Sequence, residues 1–323
     1  MTLLGTSGID VSPIILGCGN FGGIGSSPAF FGRGESREEA FAIMDAAWEA
    51  GITTFDTADA YGGGRSESWI GDWLRTKDPD VRGRIVLSTK TFNPMDEGED
   101  HGLAPARVRR QLESSLRRLG VERVDMYLAH DSDPGVPIAE TLGVFGELVG
   151  AGKVGAVGAS NVDGDQLREA LDASATSRLA RYEWVQNSYS LLDREPECDV
   201  LPLCAEHGLG FTPFSPLGGG WLTGKYRRGE TAPDGSRMTM RPEPYLHRLD
   251  DDSVWRGLDG LAAEAGARGT TPAALALAWL LADPRVTAVI VGPRRSEHLE
   301  PALAARAAPL SERERAELSG LFA

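Results

Sequence analysis

The chain has 323 residues, of which 41% are hydrophobic, and its formal net charge is −14. That length and apolar content allow a large core, and an α/β barrel routinely uses such a length for one domain. The acidic balance argues against nucleic acid and anionic membranes as partners, because both are bound by basic faces.

The cysteines and the N-terminal residues bear on the cellular compartment in which the protein is expected. Cys18, Cys198 and Cys204 form no CxxC and cannot all pair, which is typical of a reducing environment. The first residues lack the pattern of a signal peptide, and no apolar stretch approaches the roughly 18 residues that span a bilayer. We expect a cytoplasmic protein with one domain over residues 1–323. The oligomeric state stays open, and a homo-oligomer is compatible with the sequence.

Strand-like and helix-like segments alternate along the chain. Short apolar runs rich in β-branched residues predict eight strands, and helix-period segments with capping residues lie between most of them. Such alternation is typical of a parallel (β/α)8 TIM barrel. The predicted strands cover residues 14–16, 52–56, 85–88, 124–128, 155–157, 184–186, 210–213 and 288–291, and the predicted helices cover about 37–50, 66–74, 105–119, 138–150, 165–173, 198–207 and 296–306.

Four segments lie outside this repeat. Residues 3–11 predict an N-terminal hairpin that plugs the barrel floor, and residues 312–321 predict an extra C-terminal helix. Residues 217–253, after strand seven, show no sustained periodicity; a loop that long is usually functional or disordered, and we favour a lid over a bound cofactor. Residues 91–103 are rich in carboxylates, and form either a solvated acidic loop or a rim that repels anionic substrates.

Four reactive side chains follow the ends of three predicted strands: Asp56, Tyr61, Lys90 and His130. Catalytic residues of such barrels come from the C-terminal strand ends, so we expect these four to meet. Carbonyl reduction needs a proton donor at oxygen while hydride reaches carbon. Tyr61 is predicted as the general acid, with its pKa lowered by Lys90, because a nearby ammonium favours the phenolate. Asp56 would hold Lys90, and His130 would orient the carbonyl oxygen.

These residues, in this order, resemble the catalytic tetrad of the aldo-keto reductase family. Further segments resemble the cofactor-site signatures of that family, namely residues 155–161, 185–189, 214–217 and 222–226. The resemblance covers nearly the whole chain. It implies reduction of a small aldehyde or ketone to an alcohol with NADPH as cofactor.

The resemblance also implies a cofactor site on the barrel rim, and no GxGxxG opens a strand-turn-helix unit that would indicate a Rossmann site instead. Amide and hydroxyl groups suit the nicotinamide carboxamide, and an aromatic ring suits stacking on it. The implied nicotinamide contacts are Ser160, Asn161, Gln186 and Phe214. The other implied cofactor contacts are Asn20, Phe21 and Asp56 near the first two strands, Ser215, Pro216, Leu217 and Lys225 for the pyrophosphate, Arg237 in the long segment after strand seven, and Gly292, Arg294 and His298 for the adenosine phosphate.

The last of these segments departs from the family pattern. His298 and Ala302 stand where related sequences often carry amides, so the amide side chains that the resemblance implies near the adenine are missing here. His298 is either a phosphate or adenine contact or a surface residue, and Pro301 is expected to weaken its helix. An arginine fork suits phosphate, so Arg294 predicts a preference for NADPH over NADH. The remaining histidines lack metal-ligand spacing, and no metal site is expected.

Two other classes of function are compatible with the fold. Some relatives are channel-associated redox sensors, so one alternative is a non-catalytic NADPH-binding regulatory subunit; the complete tetrad argues against it. The other is a barrel hydrolase or isomerase without nicotinamide. The sequence does not identify the substrate, although apolar rings predict an apolar or aromatic body. The pocket is expected to depend on the loops near Phe21, Phe30, Phe31, Phe92, Asn93 and Trp221.

Overall fold

Eight short parallel strands form the wall of a barrel in this computed structural model, which describes residues 1–98 and 100–322. They are β3 (Ile14–Gly17), β4 (Thr54–Asp56), β5 (Val86–Thr91), β6 (Val124–Ala129), β7 (Val154–Ser160), β8 (Trp184–Gln186), β9 (Gly210–Phe211) and β10 (Val289–Val291). Each strand from β3 to β8 pairs with the next one in the chain, and β10 pairs with β3. Backbone hydrogen bonds from Thr287 N to Phe211 O (2.8 Å) and from Ile290 N to Pro213 O (3.0 Å) join the remaining edges. The predicted (β/α)8 fold is confirmed.

The N-terminal hairpin consists of β1 (Thr2–Leu3) paired antiparallel with β2 (Asp10–Val11). Leu4 and Val11 are fully buried, and they belong to the same apolar cluster as Ile15 and Trp184 from the barrel strands. Burial of these side chains supplies the hydrophobic free energy that holds the hairpin in place. The predicted hairpin is present, and it contributes to the interior of the barrel.

Helices surround the strands, and local signals account for several of their ends. At the first helix, Ser36 Oγ accepts from Glu39 N while the Glu39 carboxylate accepts from Ser36 N, which is a complete capping box. The helices are α1 (Arg37–Glu49), α2 (Arg65–Arg75), α3 (Pro79–Arg82), α4 (Pro105–Leu119), α5 (Ile138–Gly150), α6 (Gly164–Ser177), α7 (Val200–His207), α8 (Arg237–Met240), α9 (Asp252–Ala267), α10 (Pro272–Leu281), α11 (Glu300–Ala307) and α12 (Glu312–Gly320). Among the described residues, no helix is both long and apolar enough to cross a membrane.

Several sequence predictions need correction. β5 runs to Thr91 instead of ending at Ser88, so Lys90 lies within the strand. Residues 252–281 carry two helices that the sequence did not predict, and α10 is buried along almost its whole length, which removes the helical period. Pro301 lies in the first turn of α11, where its missing N–H group needs no partner. It therefore does not weaken the helix.

The long segment after β9 is also more ordered than its sequence indicates. It contains short helical turns at Gly218–Thr223, Arg237–Met240 and Glu243–Arg248. Trp221, expected near the substrate pocket, is fully buried and packs against Tyr226 and Trp255 with ring centroids 5.2 Å away in both cases. Trp221 therefore anchors this segment through its packing against Tyr226 and Trp255, and it cannot line an open pocket.

The tightest helix contact gives a stability prediction. A Cβ atom on Gly71 of α2 would lie 2.3 Å from Arg118 O and 2.7 Å from Leu119 O, and backbone atoms cannot easily move aside. We expect Gly71→Ala to lower the free energy of unfolding by about 1–3 kcal/mol, although alanine is the better helix former. Gly143→Ala in α5 is the control, because nothing lies within 4 Å of that site; it should raise the free energy by about 0.5–1 kcal/mol. Urea unfolding measures both, and a Gly71→Ala midpoint at or above wild type would contradict the close contact.

Candidate active site

Parallel pairing brings the four reactive side chains to one rim of the barrel. Asp56 is the last residue of β4, and it pairs with Ser88 of β5. Lys90 is two residues further along β5 and pairs with Leu128 of β6, so that His130 follows directly after that strand. Tyr61 opens the helical turn Tyr61–Gly64 that follows β4.

The Lys90 ammonium group is the centre of the site. Its Nζ donates to Asp56 Oδ2 at 2.6 Å, to Thr57 O at 2.9 Å and to Tyr61 Oη at 3.3 Å. Lys90 is fully buried and Asp56 is 4% exposed. Burial lowers the pKa of Lys90, but Asp56 and Tyr61 outweigh it, and the net pKa is raised. The ammonium therefore keeps its charge, and each of its three protons has an acceptor.

Tyr61 departs from the sequence prediction in one respect. Burial raises its pKa, and the charge of Lys90 opposes this without reversing it. The sequence indicated the lysine correctly but not the larger effect of burial, so the predicted net lowering was wrong for the free protein. The consequence is that Tyr61 is a phenol at neutral pH, and it has a proton to give.

His130 lies beside the tyrosine. Its Nε2 is 3.4 Å from Tyr61 Oη, and the two rings meet edge to face with centroids 5.4 Å apart. Burial, and then the Lys90 charge, hold the pKa of His130 well below its usual range. A neutral imidazole carries one proton and one lone pair, so it can donate one hydrogen bond without adding charge.

The three residues predicted for the carboxamide lie next to this group. Ser160 Oγ donates to Gln186 O at 2.7 Å, Asn161 Nδ2 donates to His130 O at 2.8 Å, and Gln186 Nε2 donates to Asp56 Oδ1 at 3.1 Å. The ends of β7 and β8 are thereby tied to the reactive side chains. Asn161 and Ser215, at two strand exits, have positive φ values of 57° and 52°. Such backbone strain concentrates at functional sites.

Cationic side chains gather further along the rim. Arg237 Nη2 donates to Asn20 Oδ1 at 2.5 Å, which connects α8 to the loop after β3. Burial lowers the pKa of Lys225, and the positive charges of Arg237 and Arg294 lower it further. A group of cations that act on one another, on a chain of net charge −14, is suited to receive an anion.

Glu35 is the acidic member of this region, and no sequence motif marks it. Arg294 Nε donates to Glu35 Oε1 at 2.6 Å, and Arg294 also donates to Gly235 O. The Glu35 side chain is 2% exposed, and its Oε2 has no hydrogen-bond partner among the described residues. Burial raises its pKa, while Arg294 acts in the opposite direction. No local signal marks this pair, because its members are 259 positions apart in the chain.

The other predicted cofactor residues have varied surroundings. Phe21 is fully buried as a whole residue and belongs to the large apolar core, so its ring offers no open surface to a cofactor. Phe214 is half-buried and packs against the apolar cluster inside the barrel. His298 is exposed, and its Nδ1 accepts from Arg294 N at 3.2 Å, whereas Ala302 is buried in the core. Pro216 is buried, Leu217 and Ser215 are half-buried, and Gly292 is exposed.

The acidic loop after β5 is partly neutralised. Asp100 pairs with Arg107 at 3.3 Å and with Arg110 at 2.6 Å, and Asp96 accepts from Gly98 N at 2.8 Å. Glu99 lies outside the described residues. The contacts of Asp100 reduce the negative field that a repulsive rim would require.

Comparison with known proteins agrees with this geometry. The chain belongs to the aldo/keto reductase family, whose model matches residues 13–322, and it is thus an oxidoreductase of a family that uses nicotinamide cofactors. It is 36% identical over 308 residues to an uncharacterized oxidoreductase, YrpG, of Bacillus subtilis (92% of this chain, 88% of the relative). It is 33% identical over 326 residues to the NADH-specific methylglyoxal reductase of Escherichia coli K12 (96% and 94%). A probable voltage-gated potassium channel subunit beta of Arabidopsis thaliana is 32% identical over 299 residues (92% and 88%).

Asp59, a carboxylate to which the sequence assigned no role, lies just outside this site. It is fully buried, and its N–H donates to Lys90 O at 3.0 Å. Burial, and then the nearby Glu67 carboxylate, raise the pKa of Asp59 to about 7; Thr91 and two arginines oppose the shift only in part. Asp59 therefore holds a proton in the folded protein at pH values where an unfolded chain has released it.

This shift predicts a pH dependence of stability. The stabilisation from protonated Asp59 is complete below its unfolded pKa of 3.8 and is lost as the pH rises through about 7. An asparagine side chain carries no charge at any pH, so Asp59→Asn should be more stable than wild type by a margin that grows between pH 5 and pH 8. Thermal unfolding at these two pH values measures the margin. A margin that is equal at both would show that Asp59 does not titrate in this range.

Proposed function

We propose that this protein reduces an aldehyde or ketone to an alcohol, with the proton supplied by Tyr61 and the hydride by NADPH. The observation that carries the proposal is the buried Lys90 ammonium, which donates to both Asp56 and the Tyr61 hydroxyl. A phenol held against a fixed positive charge is suited to release its proton to a developing alkoxide, because the charge stabilises the phenolate that remains.

Each side chain has a defined part in this proposal. Tyr61 gives its proton to the carbonyl oxygen as the carbonyl carbon accepts hydride, and the product is the alcohol. Lys90 stays protonated and stabilises the phenolate; Asp56 holds Lys90 at 2.6 Å. His130 is neutral and lies 3.4 Å from the tyrosine hydroxyl. It can therefore reach the carbonyl oxygen of the substrate and orient that oxygen. Solvent later restores the proton to Tyr61.

The residues present fit a nicotinamide dinucleotide. NADPH, when bound, supplies the hydride, which no side chain can. Ser160, Asn161 and Gln186 offer amide and hydroxyl groups beside the reactive residues, as a carboxamide requires. Lys225, Arg237 and Arg294 supply positive charge for the phosphates. The mutual repulsion of these cations would be relieved by a bound anion, which supports this use of the rim.

The choice between NADPH and NADH depends on Arg294 and Glu35. A guanidinium suits the 2′-phosphate of NADPH, whereas a carboxylate facing ribose hydroxyls favours NADH. Here one carboxylate is paired with the guanidinium at 2.6 Å, so a 2′-phosphate must share Arg294 with Glu35. The Escherichia coli relative is named NADH-specific. We favour NADPH because Lys225 and Arg237 add two further cations to this region, against the one buried carboxylate of Glu35.

A non-catalytic regulatory subunit is the second candidate, and the observation that favours it is the similarity to a probable potassium channel subunit beta. The two functions differ in turnover. A regulatory subunit that binds NADPH would not oxidise it at a useful rate when a generic aldehyde such as nitrobenzaldehyde is added. Steady consumption of NADPH with such a substrate would exclude a purely non-catalytic role.

The general acid gives the first functional prediction. Tyr61→Phe keeps the ring and removes the proton, so kcat should fall by about a hundredfold or more while the Kd for NADPH stays nearly unchanged. Lys90→Met should be comparably inactive, because it removes the charge that stabilises the phenolate. Steady-state kinetics and cofactor fluorescence titration measure both effects. Turnover near the wild-type rate in either variant would remove that residue from the proposed mechanism.

Cofactor choice gives the second functional prediction. Hydrogen bonds to charged groups contribute about 1.5 to 3 kcal/mol, so Arg294→Ala should weaken NADPH binding about tenfold or more and leave NADH nearly unaffected. Glu35→Gln should do the opposite and strengthen NADPH binding, because it removes a negative charge beside the phosphate. The double variant controls for the unpaired carboxylate that Arg294→Ala leaves buried. A wild type that binds both cofactors equally, or an Arg294→Ala variant that loses both equally, would contradict the assignment of Arg294.

A further inference from the structure

One contact of His130 determines which of its nitrogens carries the proton. Asn93 Nδ2 lies 3.1 Å from His130 Nδ1. An amide nitrogen has two hydrogens and no available lone pair, so in this contact it can only donate. Nδ1 must therefore be the acceptor. Because the imidazole is neutral, its single proton is on Nε2, the atom that faces Tyr61.

Asn93 is itself firmly held. It lies two residues beyond the end of β5, and its carbonyl oxygen accepts from Arg107 Nη2 at 2.8 Å. Arg107, on α4, is 3% exposed, and its Nη1 donates to Thr91 Oγ1 and to Gly102 O, both at 3.0 Å. A buried guanidinium with several acceptors fixes the loop on both sides of Asn93. The asparagine is thereby held against the imidazole by the main chain of its loop.

We propose that Asn93 is a positioning residue that keeps His130 in its Nε2–H tautomer, so that the imidazole donates to the carbonyl oxygen of the substrate. The inference rests on the proposed reduction. In the other neutral tautomer, Nε2 would direct a lone pair at the carbonyl oxygen, and the interaction would be repulsive. Removal of one donor to a developing oxyanion typically lowers kcat by about 10²- to 10³-fold, which sets the scale of the expected effect.

The groups around His130 are few in the described part of the chain. Tyr61 from the turn after β4 and Lys90 from β5 face the ring, and Asp56 lies behind Lys90. The carboxyl of Asp131, next in sequence, accepts from Ser132 N at 2.8 Å. Lys90 is cationic and disfavours imidazolium, so it cannot select between the two neutral tautomers. The Tyr61 hydroxyl can either donate to Nε2 or accept from it, so it does not select either, and the selection is left to the hydrogen bond from Asn93.

Asn93→Asp is the informative variant because it keeps the shape and exchanges a donor for an acceptor. A carboxylate would take its hydrogen bond from Nδ1–H, which leaves Nε2 without a proton and raises the pKa of the imidazole. We expect kcat to fall by about a hundredfold at pH 8. It should recover as the pH falls, because imidazolium carries a proton on both nitrogens.

Asn93→Ala should show a smaller loss without this recovery. Asp96→Asn changes the charge of the same loop away from His130, and it should leave both kcat and its pH profile as in wild type.

The tautomer of His130 can also be determined by a measurement that does not depend on enzyme activity. Nitrogen-15 NMR of histidine-labelled protein distinguishes Nδ1–H from Nε2–H, and we expect Nε2–H for His130 in wild type and Nδ1–H in Asn93→Asp. An Nδ1–H wild type that is active, or an Asn93→Asp variant with the kcat and pH profile of wild type, would overturn the role of Asn93. An Nε2–H wild type that reduces no carbonyl compound would instead overturn the proposed reaction, and with it the donation to substrate.

Discussion

The pairing of Lys90 with Asp56 is the interaction on which the rest of the site depends. Removing an ammonium from water costs several kcal/mol, and the cost is recovered only when geometry and hydrogen bonding are nearly complete. Lys90 meets that condition with three acceptors, one of them the Tyr61 hydroxyl. The charge is thus stable in the barrel because β4 and β5 lie side by side in the observed register. Any shift of one strand along the other would leave the ammonium buried without its partner.

The same pair also contacts a residue that is proposed to bind the nicotinamide, Gln186. The second oxygen of Asp56 accepts from Ser88 Oγ at 2.8 Å and from Gln186 Nε2 at 3.1 Å, so one carboxylate connects β4, β5 and β8. Among the described residues, three non-glycine residues have positive φ, and two of them, Asn161 and Ser215, lie on this rim. The hydrogen-bonded strands of the barrel wall hold these strained strand exits in place.

Features that depend on residues close together in the sequence were predicted, and features that depend on distant residues or on burial were not. The hairpin, the barrel strands and the capped helix α1 follow from local patterns, and the order of Asp56, Tyr61, Lys90 and His130 follows from strand ends. α10 was not predicted because its buried surface leaves no polar face to set a period. Glu35 was missed because its partner, Arg294, lies near the other end of the chain. The net pKa of Tyr61 depends on burial, and no pattern of neighbouring residues reports burial.

The segment between β9 and α9 is connected to the rim by the same cations that are proposed to bind phosphate. Arg237 on α8 donates to Asn20, and Arg294 donates to Gly235 as well as to Glu35. Each guanidinium has a limited set of N–H donors, so contacts with an anion and contacts with this segment draw on the same groups. Trp221, packed against Tyr226 and Trp255, fixes the base of the segment independently of those contacts. A bound anion would therefore compete for the contacts that hold residues 233–248, while Trp221 keeps the base of the segment anchored; the prediction that the segment is a lid rests on this link.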